Sequence, residues 1–479
     1  MVFNSLIFLS FFLVFFTLYW CLSKQKVLFQ NLLLLLGSYV FYAWTDWRFL
    51  SLLIGVSVLN FYLGIRISKE TNARYKKLYV YVGLLQGVGG LFYFKYFNFF
   101  ITSFKQSLAY FGMNVNVVTL DIIVPLGISY FTFKTISYLL DVDKGKIKAS
   151  TDLVVFCNYV SFFPTVLSGP IDKGRDFIPQ LQKERVFDYE TAIDGMKQIL
   201  WGLFKKLVIA DNCAIVVNQA FSSVDVLPSS SLWLGVFFYS IQVYADFSGY
   251  SDMAIGISKL LGFKVMKNFD YPFFAQSIPE YWRKWHISLT SWLTEYIFTP
   301  LSISFRDYNK LGLILAIIIN FVLCGIWHGA NWPFVLFGFV HGLYFIPSII
   351  KGTINKKKKL DLTKAFPNFR EFLNMISTFI PVMLTFVFFK STTANQAFQF
   401  YSKMFTKTVF STPASFPLYI AGFVAVLLLL EWTGRSQDYA IKKSFNKFPK
   451  VFQILFYFIL LATIFVFSAK EQQFIYFQF

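Results

Sequence analysis

Charged residues are scarce in this sequence. Asp, Glu, Lys and Arg make up 14% of the 479 residues, whereas soluble domains carry about 25%. So few charged side chains cannot cover the surface of a water-soluble fold, and 56% of the residues are hydrophobic. The composition therefore excludes a soluble enzyme and a disordered protein. It predicts an all-α polytopic membrane protein.

Cysteine is also rare, and its spacing excludes two kinds of site. The four cysteines, Cys21, Cys157, Cys213 and Cys324, show no Cys-x-x-Cys pattern. A disulfide framework or a zinc site made of cysteines is therefore not indicated, and we expect no metal centre.

Acidic residues are fewer than basic ones, 25 against 44, so the net charge is +19. The Lys and Arg residues concentrate in short stretches between apolar runs, at 66–77, 351–370 and 435–450, and Lys24 and Lys26 follow the first apolar run. This placement is typical of cytoplasmic loops that face anionic lipid headgroups. It predicts an N-terminus on the outer side and argues against nucleic-acid binding, because no basic stretch leads into a soluble module.

Long apolar runs recur along the whole chain. A helix needs roughly 20 mostly apolar residues to cross a bilayer. Two further apolar segments, 153–170 and 271–302, are interrupted by prolines, and we expect them to be re-entrant or interfacial. We expect a single membrane domain over 1–479, with N-terminal spans in 1–120, a catalytic core in 121–350 and C-terminal spans in 351–479. The predicted spans lie near 4–22, 29–44, 49–65, 78–99, 122–140, 195–219, 232–258, 311–327, 333–350, 372–390, 417–433 and 451–469.

Histidine is limited to three residues, and His328 is the first candidate for chemistry. It follows an apolar run, and Gly329, Asn331 and Pro333 then break the helix. An ionisable side chain at membrane depth is costly and is therefore a functional candidate. At a helix break its ring can face a cavity while freed backbone amides stabilise a developing oxyanion. An interfacial histidine that caps a helix among belt tryptophans fits the residues equally well.

His286 lies in an aromatic stretch that also carries Glu280, Arg283 and Lys284. This mixture predicts an amphipathic segment at the cytoplasmic interface. The basic side chains can meet a phosphate-bearing donor such as a coenzyme A thioester. On composition alone, contact with lipid headgroups is favoured.

Other polar residues in the apolar runs allow both structural and functional interpretations. Cys324 precedes His328 by four residues, so the two share a helix face and can form a nucleophile–base pair, although a small core cysteine is favoured. His341 is interpreted as structural. Asp246 and Asp252 can orient a histidine or hold a substrate hydroxyl, and a structural role through nearby serines is at least as well supported.

Five stretches together resemble the membrane-bound O-acyltransferase superfamily, and most closely its bacterial branch that acylates cell-surface polymers. They run in family order across roughly residues 125–345. The stretches are PLGISYFTFKTISYLLDV (125–142), SFFPTVLSGPI (161–171), YADFSGYSDMAIG (244–256), FDYPFFAQSIPEYWRKWHISLTSWL (269–293) and IWHGANWPFVLFGFVHG (326–342).

The resemblance implies a ring of tilted helices around a tunnel that joins the two membrane faces. It implies that His328 is the principal catalytic histidine, acting as a general base, and that His286 is a second functional histidine toward the cytoplasmic mouth. We further predict that eight side chains in these stretches contact the substrates. They are Asp246, Ser248, Tyr281, Trp282, Arg283, Trp285, Trp327 and Asn331.

Two branches of the superfamily fit. One is similar to the membrane subunits for O-acetylation of alginate or peptidoglycan, which pass acetyl groups to an extracytoplasmic SGNH-type partner. The other looks like the teichoic acid D-alanylation protein, which takes its acyl group from a carrier protein. That branch is usually shorter at its C-terminal end, so the two predicted spans after residue 410 favour O-acetylation.

The expected function is therefore transfer of an acetyl group from a cytoplasmic thioester, acetyl-CoA, across the bacterial cytoplasmic membrane to an extracytoplasmic polysaccharide. We expect no bound cofactor, and we expect contacts with membrane lipid and with an SGNH-type partner. A transporter of a polysaccharide precursor, with the histidines as proton relays, is the alternative from another class. An inert scaffold that docks a surface enzyme is a third.

Overall fold

The computed structural model describes residues 1–21, 26–113, 115–116, 119–356, 364–443, 448–470 and 472–477. Lys24, the end of the first predicted span and parts of the basic segments 351–370 and 435–450 lie outside the described residues. The described part of the chain is helical and contains no strand. The predicted all-α membrane class is confirmed.

Each of the twelve predicted spans overlaps a described helical segment, although residues 122–127 of the fifth span precede α6. Short π-helical turns at Phe92–Tyr96, Phe204–Ala210 and Thr294–Phe298 connect α4 to α5, α10 to α11 and α14 to α15. The α-helices are α1 Leu6–Cys21, α2 Val27–Ala43, α3 Arg48–Lys69, α4 Ala73–Leu91, α5 Phe97–Tyr110, α6 Ile128–Asp143, α7 Leu153–Ser161, α8 Phe163–Val166, α9 Gly174–Leu181, α10 Tyr189–Leu203, α11 Asp211–Ser222, α12 Ser229–Leu260, α13 Ile278–Lys284, α14 Ile287–Leu293, α15 Thr299–Ser304, α16 Asn309–His328, α17 Trp332–Ile350, α18 Phe369–Lys390, α19 Ala394–Met404, α20 Leu418–Thr433 and α21 Lys450–Phe467.

The helices differ in how well they suit a lipid environment. Among the described residues, five segments are long and apolar enough to cross a membrane, namely α3, Arg306–His328, α17, α18 and α21. Helices α1, α2 and α20 are apolar but shorter. By contrast, α6 and α12 bury Lys134, Asp141 and Asp246. Buried charges need protein partners, so these two helices pack inside protein although their sequences also predicted spans.

Proline explains the interruptions in the two broken segments. Residues 153–170 form α7 and α8, and residues 271–302 form α13, α14 and most of α15. Pro300 directly follows the π-helical turn 294–298 inside a continuous helical stretch, whereas Pro164 and Pro279 each lie in the first turn of a helix. Proline is accepted there because the first-turn N–H groups have no helical acceptor. The expected re-entrant or interfacial position stays a prediction.

The chain divides into two compact units. The first comprises residues 1–195 and 257–266, and the second comprises 196–256 and 267–479. In the first unit, α3 packs against α4 and α6, and α2 packs against α7. In the second, α16, α17 and α18 pack in sequence order, and this unit contains all three histidines. The division of the chain at residues 120 and 350 stays a prediction.

Helices α16 and α17 approach closely through glycine. A Cβ atom at Gly325 of α16 would overlap the carbonyl oxygen of Phe334, and one at Gly338 of α17 would overlap the carbonyl oxygen of Phe321. Small residues let helix backbones approach in this way inside membranes. Because α16 ends at His328, this contact fixes the position of the histidine.

We predict that Gly338→Ala destabilises the protein by about 1–3 kcal/mol, because the added methyl group forces the two backbones apart. Gly422→Ala is the matched control, since a Cβ there meets nothing within 4 Å. In the control, removal of a helical glycine should leave stability unchanged or improve it. Thermal unfolding in detergent measures both variants. An unchanged midpoint in Gly338→Ala would contradict the close packing.

Candidate active site

His328 is the last residue of α16, as the helix-break interpretation expected. Gly329 is extended, with φ −164° and ψ 152°, and a Cβ there would overlap the ring of Phe334. The His328 ring is 4% exposed and packs at centroid distances of 4.9 Å from Trp327 and 5.1 Å from Phe389. An abrupt glycine turn thus leaves the imidazole inside an aromatic enclosure.

The amides expected to be free at this break are partly engaged within the chain. Gly329 N–H donates to the carbonyl of Gly325 at 3.4 Å, and Asn331 N–H donates to the carbonyl of Gly329 at 3.0 Å. An oxyanion site built from these two amides would therefore require a local rearrangement.

His286 occupies the turn between α13 and α14, outside the helices that can span the membrane. Its backbone is left-handed, with φ 44° and ψ 54°, a region that costs free energy for a residue other than glycine and is often found at functional sites. The ring is fully buried, and burial lowers the pKa of His286 to about 3. Within the described residues, neither ring nitrogen has a hydrogen-bond partner. The ring is therefore neutral and can offer both nitrogens to a ligand.

Two aromatic side chains bring the histidines together. The Trp327 ring lies 5.8 Å from the His286 ring and 4.9 Å from the His328 ring, centroid to centroid. The Tyr476 ring lies 6.2 Å from His286 and 5.7 Å from His328. The structure thus joins two residues that are 42 positions apart through one shared aromatic layer.

Tyr476 was not a candidate from the sequence, because it lies far along the chain from both histidines in a short aromatic stretch without a recognisable motif. Asp246 accepts a hydrogen bond from Ile475 N–H at 2.8 Å, and Lys206 donates to the carbonyl of Gln472 at 2.9 Å. Phe247 packs 4.2 Å from the Tyr476 ring. Helix α12 therefore anchors the segment that places Tyr476 between the histidines.

Asp246 was predicted to contact substrate, but in the structure it holds protein groups. Besides its bond to Ile475, its carboxylate lies 2.9 Å from Lys206 Nζ, which also lies 2.8 Å from Asp211. Its substrate contact stays a prediction, and its observed contacts order the end of the chain beside the histidines.

Ser248 belongs to a separate polar cluster. Lys205 Nζ donates to Ser248 Oγ at 2.9 Å and pairs with Asp252 at 2.6 Å. Tyr244 OH lies 2.8 Å from each carboxylate oxygen of Glu431. The cluster encloses a cavity of about 20 Å³, room for roughly one water molecule. As it stands, the cavity is too small for a thioester donor.

The aromatic residues before His286 form a packed layer. Tyr281 stacks on Trp285 at 5.4 Å, and the Trp285 ring meets Phe269 edge-on at 5.1 Å. Arg283 turns away, and its guanidinium donates to the carbonyl of Ile354 at 3.1 Å. Tyr281 and Trp285 are therefore buried in this layer, and Arg283 links α13 to the chain that follows α17. The substrate contacts of these three residues stay predictions.

His341 is held apart from the histidine pair. Trp282 Nε1–H donates to His341 Nδ1 at 3.2 Å, which places the ring proton on Nε2, 2.9 Å from Thr385 Oγ1. Thr385 in turn donates to the carbonyl of Val382 at 2.6 Å. These bonds link α13, α17 and α18 and leave the His341 ring nitrogens no capacity for chemistry. Trp282, which was predicted to contact substrate, donates the hydrogen bond to His341 in this arrangement, and its substrate contact stays a prediction.

The side chains of Asn331 and Cys324 lie on either side of His328 along the chain. Asn331 accepts from Trp332 N–H at 2.9 Å and donates to the carbonyl of Thr392, so both ends of its amide are engaged. Cys324 Sγ lies 3.9 Å from His328 Nε2, which keeps the nucleophile–base alternative geometrically open.

A protein-family model described as MBOAT, membrane-bound O-acyltransferase family, matches residues 39–357. This chain belongs to the MBOAT family. It is thus an O-acyltransferase and an integral, multi-pass membrane protein. Within the described residues, no cluster of His, Cys, Asp and Glu could hold a metal ion.

Curated MBOAT relatives fall into the two branches considered from the sequence. A probable alginate O-acetylase AlgI of Azotobacter vinelandii is 36% identical over 411 residues, 85% of this chain and 78% of that protein. A peptidoglycan O-acetyltransferase of Helicobacter pylori is 32% identical over 77% of this chain and 72% of its own length. A teichoic acid D-alanyltransferase of Streptococcus thermophilus is 32% identical but covers 55% of this chain and 68% of its own length.

We predict that substitutions at two buried histidines of this MBOAT protein differ in their effect on stability. His341→Phe leaves Trp282 Nε1–H without its acceptor and should cost about 1–3 kcal/mol. His286→Asn removes a ring that makes no hydrogen bond within the described residues, and asparagine tolerates the left-handed backbone. Its thermal midpoint in detergent should stay close to that of the wild type. Equal destabilisation by both substitutions would contradict the separate roles.

Proposed function

We propose that this MBOAT protein transfers an acetyl group from a cytoplasmic thioester, acetyl-CoA, to a hydroxyl group of an extracytoplasmic polysaccharide such as alginate, peptidoglycan or an exopolysaccharide. The observation that carries the proposal is the pair of buried histidines on one aromatic layer, in a chain that matches O-acetylases over most of its length. The acetyl group follows a path through the protein, and an SGNH-type partner or the polymer itself receives it.

His328 acts as the general base in this mechanism. An alcohol is a poor nucleophile until its proton is removed, and a positioned histidine contributes roughly 10²–10⁴-fold to such a step. His328 takes the hydroxyl proton, the alcohol oxygen attacks the thioester carbonyl carbon, and the carbon–sulfur bond breaks. The proton then passes to the departing coenzyme A thiolate, so the step balances without a further reactant.

His286 acts on the donor side of the same aromatic layer. A fully buried imidazole with two available nitrogens is costly unless a ligand uses them, and its family position lies toward the cytoplasmic mouth. The rings of Trp327 and Tyr476 each contact both His286 and His328. A donor held at His286 can therefore present its carbonyl group to His328, the base.

The acetyl donor is favoured over a D-alanyl carrier by the extent of the match. The O-acetylase relative aligns over 85% of this chain and the D-alanyltransferase over 55%. The described chain after residue 410 also carries α20 and α21, the spans that favoured the O-acetylation branch.

We predict that His328→Ala lowers coenzyme A release by at least about 10²-fold. The assay uses purified protein in nanodiscs with radiolabelled acetyl-CoA, with and without the SGNH-type partner and its polymer. Cys324→Ala is the matched control, one helical turn away, and should retain activity if the histidine is a base. Loss of activity in Cys324→Ala as well as in His328→Ala would replace this mechanism with an acyl-cysteine for which His328 activates the thiol.

Two other results of this assay would assign a different function to the chain. Release from a D-alanyl carrier protein but not from acetyl-CoA would assign the chain to the D-alanylation branch. Movement of a polysaccharide precursor without consumption of either thioester would support a transporter instead.

The proposal places the protein in the bacterial cytoplasmic membrane with its N-terminus outside. Thr45 and Thr71 precede and follow α3 and are both exposed, so they form a matched pair for testing this orientation. In a background with the exposed Cys21 replaced by serine, a membrane-impermeant thiol reagent should label Thr45→Cys in spheroplasts and Thr71→Cys only after lysis. The reverse pattern would invert the topology.

A further inference from the structure

The backbone of His286 is strained, and within the described residues no hydrogen bond of its ring holds it in place. A residue other than glycine in the left-handed region persists only where its surroundings determine its conformation. The described residues provide no hydrogen bond to either ring nitrogen of His286. The turn must therefore be fixed by bonds to its neighbours in sequence.

Residues 268–270 supply these bonds on both sides of His286. Asp270 N–H donates to the carbonyl of Lys284 at 3.0 Å, two residues before the histidine. The carbonyl of Asn268 accepts from Ile287 N–H at 2.8 Å, one residue after it. Two backbone bonds thus hold the ends of the turn to one short segment.

The side chain of Asn268 adds a third attachment. Its Oδ1 accepts from Ser288 Oγ at 2.6 Å and, at 3.4 Å, from Ser288 N–H. Its Nδ2 donates to Ser251 Oγ on α12 at 3.1 Å. Asn268 is fully buried, so water does not compete for these bonds. The amide therefore connects the first turn of α14 to α12.

Helix α12 also carries the residue that packs on the histidine ring. Phe247 meets the His286 ring edge-on at 4.6 Å, and it lies four residues before Ser251, on the same helix face. The ring contact and the Asn268–Ser251 bond thus connect both the His286 ring and the His286 turn to α12.

We propose that Asn268 is a positioning residue that sets the orientation of the His286 ring for acyl transfer. Within the described residues it makes no hydrogen bond to the ring, and in the proposed mechanism it does not contact the substrate. It acts by fixing the turn through Ser288 and Ile287. The inference rests on the proposed function for the catalytic use of His286. The orientation itself does not depend on that function.

The test combines a spectroscopic signal with kinetics. Protein labelled with ¹⁵N at histidine contains three imidazoles, and loss of a signal in His286→Asn assigns the one of interest. In Asn268→Ala, the His286 ring signal should shift or broaden while the His341 signal stays in place. Coenzyme A release should fall about 10- to 100-fold, since misplacement of a reacting group by about 1 Å can cost 10²-fold, with KM for acetyl-CoA little changed.

Two serine variants separate positioning from general destabilisation. Ser288→Ala removes the bond on the histidine side of the amide, and Ser251→Ala removes the bond on the α12 side. Ser288→Ala should reproduce part of the signal shift and of the kcat loss at an unchanged thermal midpoint. It also keeps the inference testable if Asn268→Ala fails to fold. Asn268→Asp, which retains the acceptor for Ser288, should recover part of the activity.

The outcomes are distinguishable. An unchanged His286 signal in both Asn268→Ala and Ser288→Ala would overturn the positioning role, whatever the activity. A shifted signal with wild-type kcat, while His286→Asn is inactive, would overturn its relevance to catalysis. Full activity of His286→Asn would overturn the proposed function of that histidine, and the signal alone would then decide whether Asn268 positions it.

Discussion

The fully buried imidazole of His286 is the feature on which the site depends. A buried polar group without a partner costs about 1–3 kcal/mol, and the left-handed backbone at the same residue adds to that cost. The surrounding protein keeps the residue there through the Asn268 bonds and the edge contact of Phe247. A fold that retains such a costly arrangement offers a neutral base or hydrogen-bonding group, already placed, in an enclosure free of bulk water.

Pairing of buried charges is the second constraint, and it positions the chain segment that carries Tyr476 in the same site. Lys206 lies between the carboxylates of Asp246 and Asp211 at 2.9 and 2.8 Å. In a low-dielectric interior, loss of one partner leaves an uncompensated charge. The Lys206–Asp246 pair also binds the backbone of residues 472–475. The interaction that neutralises these charges therefore also brings Tyr476 to the two histidines.

The three histidines differ in the groups that contact their rings. His341 has one nitrogen on Trp282 and the other on Thr385, so its protonation state and orientation are fixed. His286 and His328 instead meet the faces and edges of aromatic rings. Aromatic contacts exclude water around both rings, and within the described residues both nitrogens of His286 make no hydrogen bond.

The sequence by itself determined the membrane class, the helical segments and the helix break at His328, because apolar length and the Gly329–Pro333 pattern act over a few residues. It also singled out His286 and His328 as catalytic candidates, through the resemblance of their motifs to a family. Only the tertiary structure decided that Tyr476 lies between them, that Asp246 holds the backbone near it, and that Asn268 fixes the His286 turn. Each of these contacts joins residues that local sequence patterns do not relate, since a hydrogen bond between distant segments forms only when the intervening helices have packed.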